Sequence, residues 1–187
     1  MSVRHALLAL LEQGPMYGYQ LRSEFEGRTG ATWPLNIGQV YTTLTRLERD
    51  GLIQGVAEGD ESEDGKHSYE ITTDGRVEVA TWFDEPVGRG QPPRDELAIK
   101  LAIAVTLPGV DVTALVQRQR GSTMTALQDY TRLKRSASTD ELADLAWSLV
   151  LDSLIFAAEA ELRWLDHCET RLRRLATRTA TAEERLR

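Results

Sequence analysis

The chain has 187 residues, 41% of them hydrophobic, and a formal net charge of −7, which suits one domain or two small ones. A single cysteine, Cys168, excludes an internal disulfide, and the scattered His5, His67 and His167 show no zinc-ligand spacing, so no metal or cofactor is expected. No apolar run nears the roughly 20 residues of a membrane span and Met1 to Leu11 lacks the order of a signal peptide, which points to a cytoplasmic protein without membrane contact.

Ser2 to Gln13 repeats apolar residues at Ala6, Leu7, Leu10 and Leu11, and Gly14-Pro15 stops the repeat, which predicts a first helix. A second is expected from about Tyr17 to Arg28, with Tyr17, Leu21 and Phe25 on one face. After a loop containing Trp33-Pro34, Asn36 supplies an N-cap and Gln39 completes a capping box for a third helix, which Asp50-Gly51 closes. Leu52 to Ala57 and Lys66 to Ile71 read as two short strands joined by the turn Glu58 to Gly65. Thr72 then caps a helix running through Phe83, and "PVGRGQPP", Pro86 to Pro93, marks a boundary.

Charge is unevenly spread. Up to Pro86 there are seven Lys and Arg against fifteen Asp and Glu, and Glu58, Asp60, Glu61, Glu63 and Asp64 all fall in the one turn. Met1 to Ala57 is neutral, and the half beyond Pro86 is nearly so.

Everything after the boundary reads as helix. Asp95 to Thr106 is amphipathic, Pro108-Gly109 breaks it, and Asp111 caps a second helix to about Arg135. From Thr139 to Leu175 one helix on the order of 50 Å long is expected. Trp147, Leu151, Leu154, Ala158, Glu161, Leu165, Cys168, Leu172 and Leu175 step by alternating fours and threes, a coiled-coil seam breached at Glu161. A second row, Leu142, Leu145, Leu149 and Phe156, widens the apolar surface and argues for burial against a second copy, with Leu151, Leu154, Ala158, Leu165 and Leu172 at the dimer seam. The alternative is that the other C-terminal helices cover both rows.

The fold expected is mainly α: an N-terminal winged helix-turn-helix with a two-stranded wing over residues 1–85, a linker at 86–94, and an all-α dimerisation and effector domain with a long terminal helix over 95–187. In such a fold the third helix enters the major groove. Between its apolar positions Ile37, Val40, Leu44 and Leu47 this helix carries Gln39, Thr42, Thr43, Thr45, Arg46 and Arg49, where an idle surface would carry mixed Lys and Glu. Gln and Asn offer a paired donor and acceptor to adenine, Arg a bidentate contact to guanine, and Thr a hydroxyl and a methyl. The competing reading makes the threonines surface filler and pairs Arg46 and Arg49 with Glu48, Asp50 or other neighbours.

The segments "LLALLEQGPMYGYQL", "GQVYTTLTRLERDGLI" and "HSYEITTDG" resemble, in the same order, the three motifs of the PadR group of transcriptional regulators. They fall at Tyr17, Gly18 and Tyr19; at Val40, Tyr41, Leu44, Leu47, Glu48, Gly51 and Leu52; and at Tyr69, Ile71, Thr72 and Gly75. "PPRDELAIKLAIAVTLPGVD" and the terminal helix resemble the virulence-activator type of C-terminal domain. The resemblance implies a homodimer that binds a pseudo-palindromic operator in double-stranded DNA, usually to repress, and that is released by a small molecule. It brings in Tyr17 and Tyr41 as DNA contacts, although Tyr17 equally heads the core stripe of the second helix. Wings of this group usually present Arg or Lys to phosphate, whereas this turn has five carboxylates and only Lys66 and His67 at its exit. An acidic tip clear of the duplex, with Lys66 and His67 on the backbone, fits that composition.

The DNA-binding set is thus Tyr17, Asn36, Gln39, Tyr41, Thr42, Thr43, Arg46, Lys66 and His67, and Trp82, Trp147 and Trp164 are the side chains suited to a planar aromatic effector. No nucleophile elbow, phosphate-binding glycine loop or catalytic Cys/His pair is present, so an enzyme is not expected. The remaining rival is a winged-helix dimer used for protein contact or ligand sequestration, which the acidic front half favours.

Overall fold

A computed structural model describes residues 2–56, 67–88, 95–136 and 142–185. The acidic turn, Lys66, most of the linker and the expected start of the terminal helix at Thr139 lie outside the described residues.

Two units make up the chain, one of Met1–Arg89 with Glu141–Trp147, the other of Gly90–Asp140 with Ser148–Arg187. The first begins with α1, Ser2–Leu10, continued by a single 3₁₀ turn over Leu11–Gln13. Next come β1, Met16–Tyr17, α2, Gly18–Thr29, and α3, Ile37–Arg49. The strands β2, Ile53–Val56, and β3, Ser68–Ile71, lead into α4, Thr73–Asp84. The expected hairpin is present, with Ile53 opposite Ile71 and Val56 opposite Ser68. A third strand joins it: β1 pairs antiparallel with β3, giving the order β1-β3-β2. Two residues are too few to show an alternating pattern, which is why periodicity did not reveal β1.

The core of this unit follows the helical stripes. Leu7, Leu8, Leu11, Leu21, Leu44 and Leu47 are fully buried, joined by Val40, Ile53, Ile71 and Val79. Each such side chain contributes roughly 1.5–3 kcal/mol by leaving water. Helix ends use the expected caps, since Asn36 accepts from the Gly38 amide at 2.8 Å and Thr72 from the Gly75 amide at 3.1 Å. The capping box, however, sits on α2, where the Gln20 side chain accepts from the Tyr17 amide at 2.8 Å, while Gln39 on α3 stays exposed.

An ionic and aromatic contact ties α1 to α4. Arg4 and His5 both reach Glu78, each at 3.1 Å, Arg4 also meets Asp50 at 3.3 Å, and the His5 ring stacks on Trp82 with centroids 5.5 Å apart. Hydrogen bonds from His5 and then Arg4 hold the Glu78 carboxyl below its ordinary 4.5. A depressed folded value means that this contribution is complete above pH about 4.5 and is lost as pH falls through the folded value. Urea midpoints measured between pH 6 and 3 should therefore drop less steeply in Glu78→Gln than in the parent chain.

The second unit is built on α5, Glu96–Ala104, α6, Val112–Ser136, and α7, Leu142–Arg185, whose first turn belongs to the first unit. Asp95 and Asp111 cap α5 and α6 by accepting from Ala98 and Ala114. Helix α7 has 44 residues, which is roughly 66 Å. Arg120 on α6 pairs with Asp166 on α7 and Lys134 with Asp152, so numbers rise along one helix as they fall along the other and the two run antiparallel. Leu101, Ala104, Leu115, Val116 and Leu165 form the core here.

Glu161, the breach in the seam, accepts from the Gln119 amide at 2.9 Å and from the Thr123 hydroxyl. Thr123 is itself buried. The breach is therefore closed within the chain and pins the register of α6 against α7. Glu161→Ala should cost about 1 kcal/mol in urea unfolding, because the Gln119 amide and the Thr123 hydroxyl lose the acceptor they share across the helices and Thr123 keeps only the Gln119 carbonyl, 2.9 Å away on its own helix.

Among the described residues no helix is long and apolar enough to cross a membrane.

Candidate nucleic-acid interface

The apolar residues of α3 fix its orientation. Val40, Leu44 and Leu47 face inward and are buried, which turns Asn36, Gln39, Thr42 and Arg46 to the outside as one exposed strip. These residues, with Val3 and Leu35 at the edge, line a shallow concavity of about 660 Å³. Thr43 stands beside them and is half-buried.

The threonine hydroxyls are not idle. Thr42 donates to the Gly38 carbonyl at 2.8 Å, Thr43 to that of Gln39 at 2.8 Å, and Thr45 to that of Tyr41 at 3.0 Å. Each donor is thus engaged inside the helix, which leaves an oxygen lone pair and a methyl for a neighbour. The two arginines differ. Arg49 is held by Asp50, with contacts of 3.1 and 2.9 Å, whereas Arg46 has no ion pair among the described residues. The Arg49 guanidinium lowers the Asp50 carboxyl, with a smaller pull from Arg4. The alternative expected for the arginines therefore describes Arg49 and not Arg46.

Tyr41 is 40% exposed, and its ring lies across the start of α2. A Cβ on Gly18 would stand 2.9 Å from the outer end of that ring, so glycine there lets the ring approach the helix without shifting. Tyr69 on β3 belongs to the same neighbourhood: burial raises its phenol, with Glu48 and Tyr41 adding to the effect. The aromatic residues thus join the N-terminus of α2, the middle of α3 and the wing. Tyr17 is half-buried, and the neighbouring Tyr19 is exposed at the first turn of α2. Tyr19 was part of the quoted motif but not of the expected contact set, and its position next to the glycine on which Tyr41 rests is the signal that singles it out.

On the wing, His67 is exposed, Gln54 faces Glu70 and donates to it at 2.5 Å, and Lys66 lies outside the described residues.

The three tryptophans have separate surroundings. Trp82 stacks on His5 and lies 4.8 Å from Phe83, Trp147 lies against Gly30 within the first unit, and Trp164 packs onto the core of the second. Gly30 has φ +58° and caps α2, a conformation that favours glycine, and a Cβ there would overlap the Trp147 indole.

The terminal helix divides its rows differently from the expectation. Leu151, Ala158 and Leu165 are buried within the chain, Leu172 packs on the core of the second unit, and Leu154 is half-buried. The open row is the neighbouring one, with Leu142 85%, Leu145 49%, Leu149 61% and Phe156 65% exposed. Spacing identifies the apolar residues but not which chain covers them.

Three helices, a wing on a three-stranded sheet and an outward polar strip on α3 define a winged helix-turn-helix protein. Residues 7–81 match the Transcriptional regulator PadR-like family and residues 93–173 the Virulence activator alpha C-term family. Between them the two matches span most of the chain, which belongs to the PadR-like transcriptional regulators that carry a virulence-activator C-terminal region, a family of regulators rather than enzymes. A probable transcriptional regulator of Mycobacterium tuberculosis, Rv1176c, is 29% identical over 89% of this chain and 95% of its own length. The negative transcriptional regulator PadR of Bacillus subtilis is 25% identical over 88% of this chain and 93% of its own. Its crystal structure with operator DNA has a TM-score of 0.67 at 23% identity, covering 90% of this chain and 97% of that one, and its structure with p-coumaric acid scores 0.68. The virulence activator AphA of Vibrio cholerae matches at 0.68 and 21% identity over 92% of this chain and 99% of its own.

Proposed function

We propose that this regulator is a sequence-specific DNA-binding repressor of the cytoplasm, acting as a homodimer on a pseudo-palindromic operator and released by a small aromatic effector. Residues 1–85 read DNA, 86–94 link, and 95–187 dimerise and sense. The observation that carries the reading is the exposed strip of Asn36, Gln39, Thr42 and Arg46 over a buried Val40, Leu44 and Leu47. Tyr17, Tyr41, Thr43, Lys66 and His67 complete the set as further contacts to backbone or base. The Bacillus relative, named a negative regulator and solved with operator DNA, supports this reading, and its p-coumaric acid complex supports an aromatic effector.

Pairing through the open row, Leu142, Leu145, Leu149 and Phe156, buries the apolar surface that the chain leaves uncovered. Two copies of α3 would then meet half-sites about 10 base pairs apart. The acidic front half favours a second reading, a winged-helix dimer that binds protein or sequesters ligand. Affinity for DNA upstream of its own gene, measured against ionic strength, separates the two. A reader gives a log–log slope near −0.9 for each phosphate neutralised and prefers its operator to random duplex, whereas a flat slope with no preference sinks the proposal.

A further inference from the structure

The second unit contains a concavity of about 750 Å³ between α5 and the C-terminal part of α7, within the size range of small-molecule sites. Its apolar lining is aliphatic throughout: Leu101 and Val105 from α5 and the turn after it, Val112 from α6, and Leu172 and Leu175 from α7. Arg171 and Arg174 stand on its rim, both exposed, and neither forms an ion pair among the described residues.

The neighbouring carboxylates on α7 are already committed. Asp166 is paired with Arg120, and Glu169 with Arg173 and, at 3.8 Å, with Arg120. Among the described residues no carboxylate lines the concavity. Two guanidiniums without an ion pair among the described residues, beside an aliphatic floor, stand out in a chain of net charge −7. They complement a ligand with one anionic head and an apolar tail. Among the described lining residues His167 supplies the one ring, and the aliphatic side chains of Leu101, Val105, Val112, Leu172 and Leu175 make up the apolar wall, which favours a flexible aliphatic tail over a flat ring.

We propose that this concavity binds a medium-chain aliphatic carboxylate, its chain on Leu101, Val105, Val112 and Leu172 and its head between Arg171 and Arg174. The proposal rests on the reading of the protein as a ligand-responsive regulator and names a site and ligand class for that response.

Cys168 lines the same concavity and is the only cysteine of the chain, so it reports occupancy without any engineering. Burial raises its thiol and Arg171 partly offsets that, which places the guanidinium beside the sulfur and makes slow, measurable alkylation the baseline. The experiment follows labelling of the full chain by a neutral maleimide with decanoate, decanol or decyltrimethylammonium below their micellar concentrations. Saturating decanoate is expected to slow labelling at least fivefold and the other two less than twofold. Arg171→Gln combined with Arg174→Gln should erase that difference, and the decanoate-induced rise in melting temperature should vanish with it. Equal protection by decanol, or no protection by any of the three, overturns the proposal. So does labelling that is blocked from the start and recovers on dilution, since a second copy of the chain would then be the occupant. Operator release is read separately by anisotropy. Protection without release supports the site and removes the effector reading, whereas release without protection overturns the site and leaves that reading standing.

Discussion

Arg46→Ala should lower affinity for the operator by about 5- to 150-fold, the equivalent of about 1–3 kcal/mol, and lower affinity for random duplex far less. The difference between the two DNAs is the informative quantity. A guanidinium that reads a base edge adds to discrimination, whereas one that meets only phosphate adds equally to every sequence. Arg46 is the side chain to test because it stands on the exposed strip with Gln39 and Thr42 and has no ion pair among the described residues. Arg49 is the internal control. It is held by Asp50 and must give up that pair to reach DNA, so Arg49→Ala should change operator affinity by less than about threefold. Gln39→Ala should erode discrimination in the same sense as Arg46→Ala. If anisotropy titrations show that sequence preference survives both changes, the assignment of the reading face is wrong.

The largest loss of stability from one added methyl group is expected at Gly75. A Cβ there would overlap the Leu52 carbonyl oxygen and crowd the Ile71 side chain. That oxygen already accepts from the Thr72 amide at 3.0 Å, while the Thr72 hydroxyl donates to the Gly51 carbonyl at 2.8 Å and accepts from the Gly75 amide. Three backbone and side-chain links thus meet where the end of α3 passes the start of α4, and none of the atoms in the way is the free end of a flexible side chain. Gly75→Ala should cost about 3 kcal/mol, at the upper end of overpacking effects, and lower the melting temperature of the first unit by roughly 12–24 °C. Gly51→Ala is the comparison. Its φ of +75° is strained for alanine, but a Cβ meets nothing within 4 Å, so its cost is about 1–2 kcal/mol. Similar losses in the two variants would show that the corner yields more readily than its contacts imply.

Much of the front half could be read from residue order because its determinants are local. Asn36 and Thr72 cap where side-chain oxygens precede helical runs, and the spacing of Val40, Leu44 and Leu47 decides which face of α3 turns inward. What escaped depended on partners far away in sequence. β1 is a strand only because β3 lies beside it, and Gly18 matters only because the Tyr41 ring rests on the start of α2. Glu161 breaks the apolar spacing of the seam, and only the fold shows Gln119 and Thr123 opposite it. The terminal helix shows the same limit, since heptad spacing marks Leu151 and Leu165 as buried without saying that their own chain buries them.

The bonds from Thr42, Thr43 and Thr45 to carbonyls one turn back have an energetic consequence. Each holds its χ1 angle in the free protein, so on the proposed reading Thr42 and Thr43 would meet DNA with their rotamers already chosen, sparing a cost at the low end of the roughly 0.5–1.5 kcal/mol for freezing an unconstrained side chain. Part of the entropic cost of recognition is therefore met during folding. Replacing these residues by longer donors such as Asn or Lys would widen the set of bases within reach while making each contact dearer to form.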